Sequence, residues 1–324
     1  MYGKGYTMQK IILVISLIFM FLGCSNKATQ IPSDEPKFEV NKALYPFKSR
    51  YLSLENGAKI HYVDEGEGEV LLLLHGNPTW SFLYRDMIND LKDDFRVIVP
   101  DYAGFGLSIA PKEFGFKADE HAKLMNAFVE KMDLNNTTIM VQDWGGPIGF
   151  DIAINQPDRV KAFIIGNTWA WELERVGHKA FSTLFGGYVG QFLSWANNGV
   201  VRFFMSQGVE HELSDEVLAM YDAPFKDRAN RKQTHIFPAQ LWDADEFLKS
   251  VYEGLETIAD KSALIVWGTE DFAFQEPERE RFESIFKNHK TILLEEAGHF
   301  IQEDAPHEIS DAIKAWYPII KDER

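Results

Sequence analysis

The chain has 324 residues, 45% hydrophobic, 25% charged and 14% aromatic, which is enough apolar material for one large core or two modest ones and excludes disordered and fibrous classes. Lys and Arg total 33 against 49 Asp and Glu, a formal charge of −16, and no basic block could neutralise phosphates, which argues against nucleic acid as a partner. The aromatic complement, 25 Phe, 11 Tyr and 8 Trp, suits an apolar ligand cavity.

Lys4 and Lys10 precede an apolar run, Ile11 to Leu22, that is too short to cross the ~30 Å hydrocarbon layer of a bilayer. It reads as the h-region of a signal peptide over residues 1–23, with Met8 as an alternative start. The run ends in Phe21-Leu22-Gly23-Cys24-Ser25, which resembles the lipobox of bacterial lipoproteins. The expected lipid attachment point is therefore Cys24, and the expected location is a bacterial membrane reached through that anchor alone. Cys24 is the sole cysteine, so disulfides, Cys-based zinc clusters and dithiol redox chemistry are excluded. Residues 24–40 mix Ser, Asn, Thr, Pro and Asp without periodicity and read as a flexible tether.

Ser49-Leu54 and Ala58-Val63 flank Glu55-Asn56-Gly57, the signal of a hairpin that opens a sheet with an antiparallel pair. Val70-Leu74, Val97-Val99, Thr138-Val141, Ala162-Ile165, Ala263-Trp267 and Thr291-Leu294 are continuous apolar runs of the kind buried on both faces of a parallel sheet. Amphipathic stretches such as Glu120-Met132 and Glu276-Phe286 alternate with them, giving an α/β class with a mostly parallel, doubly wound sheet. Residues 169–258 break the rhythm with helix-like sequence rich in Phe and Trp, so they are expected to form an inserted helical cap, leaving 41–168 and 259–324 as the core.

Val141-Gln142-Asp143-Trp144-Gly145-Gly146 follows one buried run and leads into helix-compatible sequence, the strand-turn-helix of a nucleophile elbow with Asp143 at its tip. Val141 departs from the general pattern, which has glycine there, and an Asp that merely caps a helix is the alternative explanation of this segment taken alone. Asp271 and His299 follow the last two apolar runs, however, and the order nucleophile, acid, histidine is that of the α/β-hydrolase fold. Residues just beyond the carboxyl ends of such strands converge on one crevice. His75-Gly76-Asn77-Pro78-Thr79-Trp80, after Leu71-Leu74, occupies the loop that supplies an oxyanion-hole N–H in this fold.

With Asn77 in that loop, Asp143-Trp144, Gly166-Asn167-Thr168-Trp169, Asp271 and His299, the chain resembles the haloalkane dehalogenases from about Tyr45 to Tyr317. The family places its catalytic acid either after the strand ending at Asn167 or at Asp271. Asn167 cannot act as a carboxylate, so the resemblance implies the third subfamily, with Asp271 as acid and Asn77 and Trp144 as halide donors and oxyanion hole. Glu172 and Glu174, near the rejected position, read as acids at the start of a cap helix.

An aspartate nucleophile is anionic at neutral pH and forms an ester with an alkyl halide, whereas serine would form an ether that water does not cleave. The expected reaction is thus displacement of halide by Asp143 followed by hydrolysis with His299 as base, on a small apolar halogenated substrate, without metal or organic cofactor. Phe181, Phe185, Phe192, Trp195, Phe203, Phe204 and Phe225 are candidate walls for a dry pocket. Alternatives are an epoxide hydrolase using Tyr188 and Tyr221 as acids, or a lipid-anchored luciferase-like or binding protein without dehalogenase activity. A homo-oligomer is compatible with the sequence.

Overall fold

The computed structural model describes residues 38–173 and 176–320. The expected signal segment, Cys24, nearly all of the tether and Glu174 lie outside them.

The runs beside Asn56-Gly57 become β1 (Arg50–Ser53) and β2 (Lys59–Glu65), antiparallel with Leu52 opposite Ile60. Gly57 takes φ +87°, where a side chain would be strained, and the Leu54 N–H closes the turn on the Ala58 carbonyl at 2.8 Å. The continuous apolar runs become β3 (Val70–Leu74), β4 (Arg96–Pro100), β5 (Thr137–Asp143), β6 (Val160–Thr168), β7 (Ser262–Gly268) and β8 (His289–Leu294).

The eight strands form one sheet in the order β1-β2-β4-β3-β5-β6-β7-β8, parallel from β4 onward, with β2 antiparallel to both neighbours. Every residue of β5 and β7 is buried, as expected of strands covered on both faces. In β8 the expectation of double burial fails. That strand is the sheet edge, with a neighbour on one flank only, and Lys290 and Leu293 are exposed.

Helices Ala118–Lys131 and Glu276–Ile285 occupy two of the amphipathic stretches. Each begins with a glutamate reaching back to an orphan N–H: Glu120 accepts from the Lys117 N–H at 3.0 Å, and Glu278 from the Gln275 N–H at 2.9 Å. Between β6 and β7 the chain runs through helices Val176–Gly186, Tyr188–Asn197, Gly199–Gln207, Asp215–Asp222, Lys232–Asp243 and Asp245–Gly254. Glu172 is exposed ahead of the first of them.

This helical insertion is tied to the sheet layer by polar contacts as well as packing. The Trp80 indole N–H donates to the Met220 carbonyl at 3.2 Å and the Gln233 amide to the Gly104 carbonyl at 2.6 Å. The Tyr221 hydroxyl donates to the buried Glu303 carboxylate, which also receives both arms of Arg85 at 2.5 and 2.7 Å.

Candidate active site

The strand ends deliver the site. Asp143 closes β5, Asn77 follows β3, Asn167 lies near the end of β6, Asp271 follows β7 and His299 follows β8. In a parallel sheet these positions share one crevice at the carboxyl edge.

Asp143 takes φ +49°, in the left-handed region that non-glycine residues rarely occupy. Its neighbours hold it there. The Thr168 hydroxyl donates to the Asp143 carbonyl at 2.6 Å, and a Cβ on Gly76 would run into the Asp143 side chain. A Cβ on Gly145 would overlap the Leu74 carbonyl, so the helix Gly145–Asn155 starts hard against β3. Val141 stands where the general elbow has glycine, and the missing space is supplied from the other side: a Cβ on Gly149 would lie 2.5 Å from a Val141 methyl.

One carboxylate oxygen of Asp143 accepts the Asn77 backbone N–H at 2.7 Å, and the Trp144 backbone N–H also bonds this carboxylate. The other oxygen faces His299 Nε2 at 3.7 Å, too long for a direct hydrogen bond. On the far side of the ring, His299 Nδ1 lies 3.0 and 3.2 Å from the two oxygens of Asp271. Asp271 also accepts the Ala273 N–H at 2.7 Å and the Asn167 amide at 3.0 Å. Asp143, His299 and Asp271 are therefore brought together, with Asn77 and Trp144 beside Asp143.

Burial pushes the Asp143 carboxyl above the usual carboxylate range, against the stabilising charge of His299 and the Trp144 and Asn77 N–H groups. Burial alone would lower the His299 imidazole, but the charge and hydrogen bond of Asp271 and the charge of Asp143 outweigh it and raise the ring above its ordinary value. Among the described residues no group of three or more His, Cys, Asp or Glu is arranged to hold a metal ion.

A cavity of about 40 Å³ touches Asn77, Asp143, Trp144 and His299, with Phe181, Phe204, Leu241 and Phe272 among its apolar walls. A second cavity of about 340 Å³ adjoins it through Phe181, Leu241, Phe272, Ala273 and Phe274. Among the described residues neither the Trp144 indole N–H nor the Asn77 side-chain amide has a hydrogen-bond partner, and Asn77 Oδ1 is buried unpaired. Two residues that line the cavity thus carry side-chain donors without a partner among the described residues.

Among the expected aromatic walls, Phe181 and Phe204 line the cavity and Phe185 packs behind them at 4.9 and 5.2 Å, but Phe192, Trp195 and Phe203 are exposed and Phe225 is buried against Phe105. Helix Tyr188–Asn197 turns Gly190 and Ser194 inward, and at 3.6 residues per turn Phe192 and Trp195 must then point out. Tyr188 is 91% exposed and Tyr221 is engaged by Glu303, so neither tyrosine offered as an epoxide-opening acid lines the cavity.

The roles of two polar residues escaped the sequence reading. The Gln142 amide N–H groups lie 3.0 Å from the His299 carbonyl and 3.2 Å from its Nε2. Alternation along β5 was the available signal, because Gln142 is a buried polar residue next to a residue already singled out. Asn167, set aside as unable to serve as acid, instead clamps the strand ends: its Oδ1 accepts the Gly268 N–H at 2.7 Å while its Nδ2 holds Asp271. A last contact joins the His299 loop to the helical insertion. Asp304 accepts N–H groups of Gly298 at 2.9 Å and of Glu210 at 3.0 Å, and the Phe300 N–H donates to the Gly208 carbonyl at 2.7 Å.

Sheet order, elbow and paired His and Asp define an enzyme of the α/β-hydrolase class, and the α/β-hydrolase fold family matches residues 69–306. Haloalkane dehalogenase 2 of Mycobacterium bovis is 42% identical over 279 residues, covering 85% of this chain and 97% of its own. The cis-3-alkyl-4-alkyloxetan-2-one decarboxylase of Shewanella oneidensis is 32% identical over 84% of this chain and 88% of its own. The crystal structure of haloalkane dehalogenase DatA from Agrobacterium tumefaciens C58 superposes with a TM-score of 0.79 at 23% identity, over 87% of this chain and all of that one, and speaks for the fold. The chain belongs to the haloalkane dehalogenases of the α/β-hydrolase family.

Proposed function

We propose that the protein hydrolyses haloalkanes to alcohol and halide through an alkyl ester on Asp143. The observation that carries this reading is a carboxylate at the elbow, with one oxygen tied to N–H groups and the other facing an apolar cavity that holds two unspent donors. Asp143 Oδ2 attacks the halogen-bearing carbon, forming a C–O bond as the C–halogen bond breaks and its electron pair leaves on the halide. Halide departs without a proton, so the Asn77 amide and Trp144 indole N–H groups suffice to stabilise it.

In the second step water attacks the ester carbonyl carbon and gives its proton to His299 Nε2. The carbonyl-to-alkoxy bond then breaks, the alkoxide recovers a proton from His299 and the alcohol leaves. The backbone N–H groups of Asn77 and Trp144, already on the carboxylate, hold the oxyanion. Asp271 orients the ring and stabilises its protonated form. Alkylation also readies the base, since it cancels the Asp143 charge that helps to hold His299 protonated. Asp271 as acid together with Asn77 as donor supports placement in the third subfamily.

The test is halide release over chlorinated, brominated and iodinated alkanes, with two variants. Asp143→Ala should release none. His299→Phe should release about one halide per site and stop, leaving the alkyl mass on Asp143 by peptide mapping. Steady turnover by His299→Phe, or label on another residue, overturns the mechanism. A cis-3,4-dialkyloxetan-2-one belongs in the same panel because of the Shewanella relative, and its consumption without any halide release from the alkanes would move the assignment to lactone chemistry.

We further propose export and lipid anchoring through Cys24. Support comes from the apolar run before it and from its being the only cysteine.

A further inference from the structure

Helix Tyr188–Asn197 presents Tyr188, Phe192 and Trp195 to solvent, at 91%, 61% and 55% exposure, with Val189 on the same helix and Leu184 and Phe203 on its neighbours. Isolated exposed aromatics are ordinary, but a run spaced i, i+4, i+7 is a stripe along one helix face. The charge around it is the reverse of the chain's. From Val176 to Val209 there is no Asp or Glu, although acids outnumber bases 49 to 33 overall. The basic segment Lys226–Lys232 packs at this helix's carboxyl end, where Arg231 donates to the Ser194 and Trp195 carbonyls at 3.0 and 2.9 Å and Arg228 lies 4.4 Å over the Trp195 ring. Together these stretches hold Lys179, Arg202, Lys226, Arg228, Arg231 and Lys232 against Asp227, with Asp222 beside them paired to Arg202 at 2.6 Å.

From this we infer that the Tyr188–Asn197 face docks on the surface of an anionic lipid bilayer. Aromatic rings with an apolar body and a polar edge, rimmed by Lys and Arg, match the headgroup boundary, where Trp and Tyr concentrate. A second copy of the chain fits less well, because two such faces would bring like-charged rims together while most of the surface is acidic. The charge asymmetry also favours this orientation, since the molecule as a whole carries −16 and an anionic leaflet repels net negative charge.

The site gains from this placement. Phe203 at the surface contacts Phe185 at 4.9 Å, Phe185 contacts Phe204 at 5.2 Å, and Phe204 contacts Phe181 at 5.5 Å, the last two residues being cavity walls. An unbroken phenyl series thus runs from the docking face to the catalytic cavity, and apolar molecules dissolved in the bilayer are delivered at its outer end. The inference needs neither acylation of Cys24 nor the halide chemistry.

Cys24 being the only cysteine makes the test direct. Full-length Cys24→Ala, Phe192→Cys is labelled with an environment-sensitive fluorophore at residue 192 and mixed with vesicles of phosphatidylglycerol and phosphatidylcholine. The control is Cys24→Ala, Asp260→Cys, because Asp260 is fully exposed at the amino end of β7. Blue-shifted, brighter emission from residue 192 and not from 260, with Lys226→Gln weakening vesicle affinity about fivefold, is the expected result. Vesicle binding with no shift at 192, no binding at all, or a shift that appears without vesicles and grows with protein concentration each overturns the inference, the last in favour of a second copy. Halide release by the same labelled chains in vesicle-free buffer reports separately on the proposed reaction.

Discussion

Asn77 contributes to the site twice, through a backbone N–H already on Asp143 and a side-chain amide with no partner among the described residues. Asn77→Ala removes only the second. Halide formation should slow by ~10²-fold, the range for a lost transition-state donor, while hydrolysis of a preformed ester changes little. Rapid-quench measurement of the two steps checks this. His299 and Asp143 make the pH dependence divide in the same way. In the alkyl-enzyme His299 loses the raising charge of Asp143 but keeps that of Asp271, and as pH falls the ring is protonated and cannot take the proton of water. Alkylation needs only ionised Asp143, a carboxyl that burial raises from an ordinary value far below that of an imidazole. Lowering pH should therefore reduce steady turnover first and leave a one-equivalent halide burst, lost only at more acidic pH. Loss of burst and turnover together across the same interval would show that one group governs both steps.

Elements place these residues through close backbone approach. Gly145 lets its helix start against the Leu74 carbonyl, so Gly145→Ala must push the elbow away from β3. A cost of roughly 1–3 kcal/mol is expected from such overpacking, read as a lower urea midpoint with unchanged m-value, accompanied by loss of halide release. The elbow was legible in the sequence because a turn between a buried strand and a helix leaves a short, specific string. Its irregularity at Val141 was also visible, but the compensation was not, since Gly149 acts across the strand-helix interface and no local pattern records which residues face one another. For the same reason Asn167 could be excluded as a carboxylate from its chemistry alone, yet its bonds to Gly268 and Asp271 depend on β6 and β7 being adjacent. Which aromatic residues of helix Tyr188–Asn197 face inward was not legible, because composition does not report phase. Gly190 and Ser194 decide which side turns in.

At the scale of the whole molecule, the strand-helix alternation and the interruption between β6 and β7 follow from run lengths and were readable. The pairing of β2 with β4, which skips β3, is a long-range choice that periodicity does not encode. The anchor proposal belongs at this scale too. Cys24→Ala should move the protein from the membrane to the soluble fraction, or to weak, salt-sensitive binding, and abolish any acyl mass on its N-terminal peptide. Equal fractionation of both forms with no acyl mass would end that proposal.

The contacts of Asp304 and Phe300 bear on how such enzymes can be recombined. Because residues 208–211 lie in the helical insertion yet hydrogen-bond the segment carrying His299, the insertion is not a detachable lid with its seams at β6 and β7 alone. A foreign insertion spliced at those two seams would bring its own backbone to residue 208, and unless that backbone offers a carbonyl to Phe300 and N–H groups to Asp304, His299 drifts while Asp143 stays in place. Chimaeras should then fail in a recognisable order, alkylating normally and turning over poorly, and the repair lies in grafting four residues of loop rather than in redesigning the pocket.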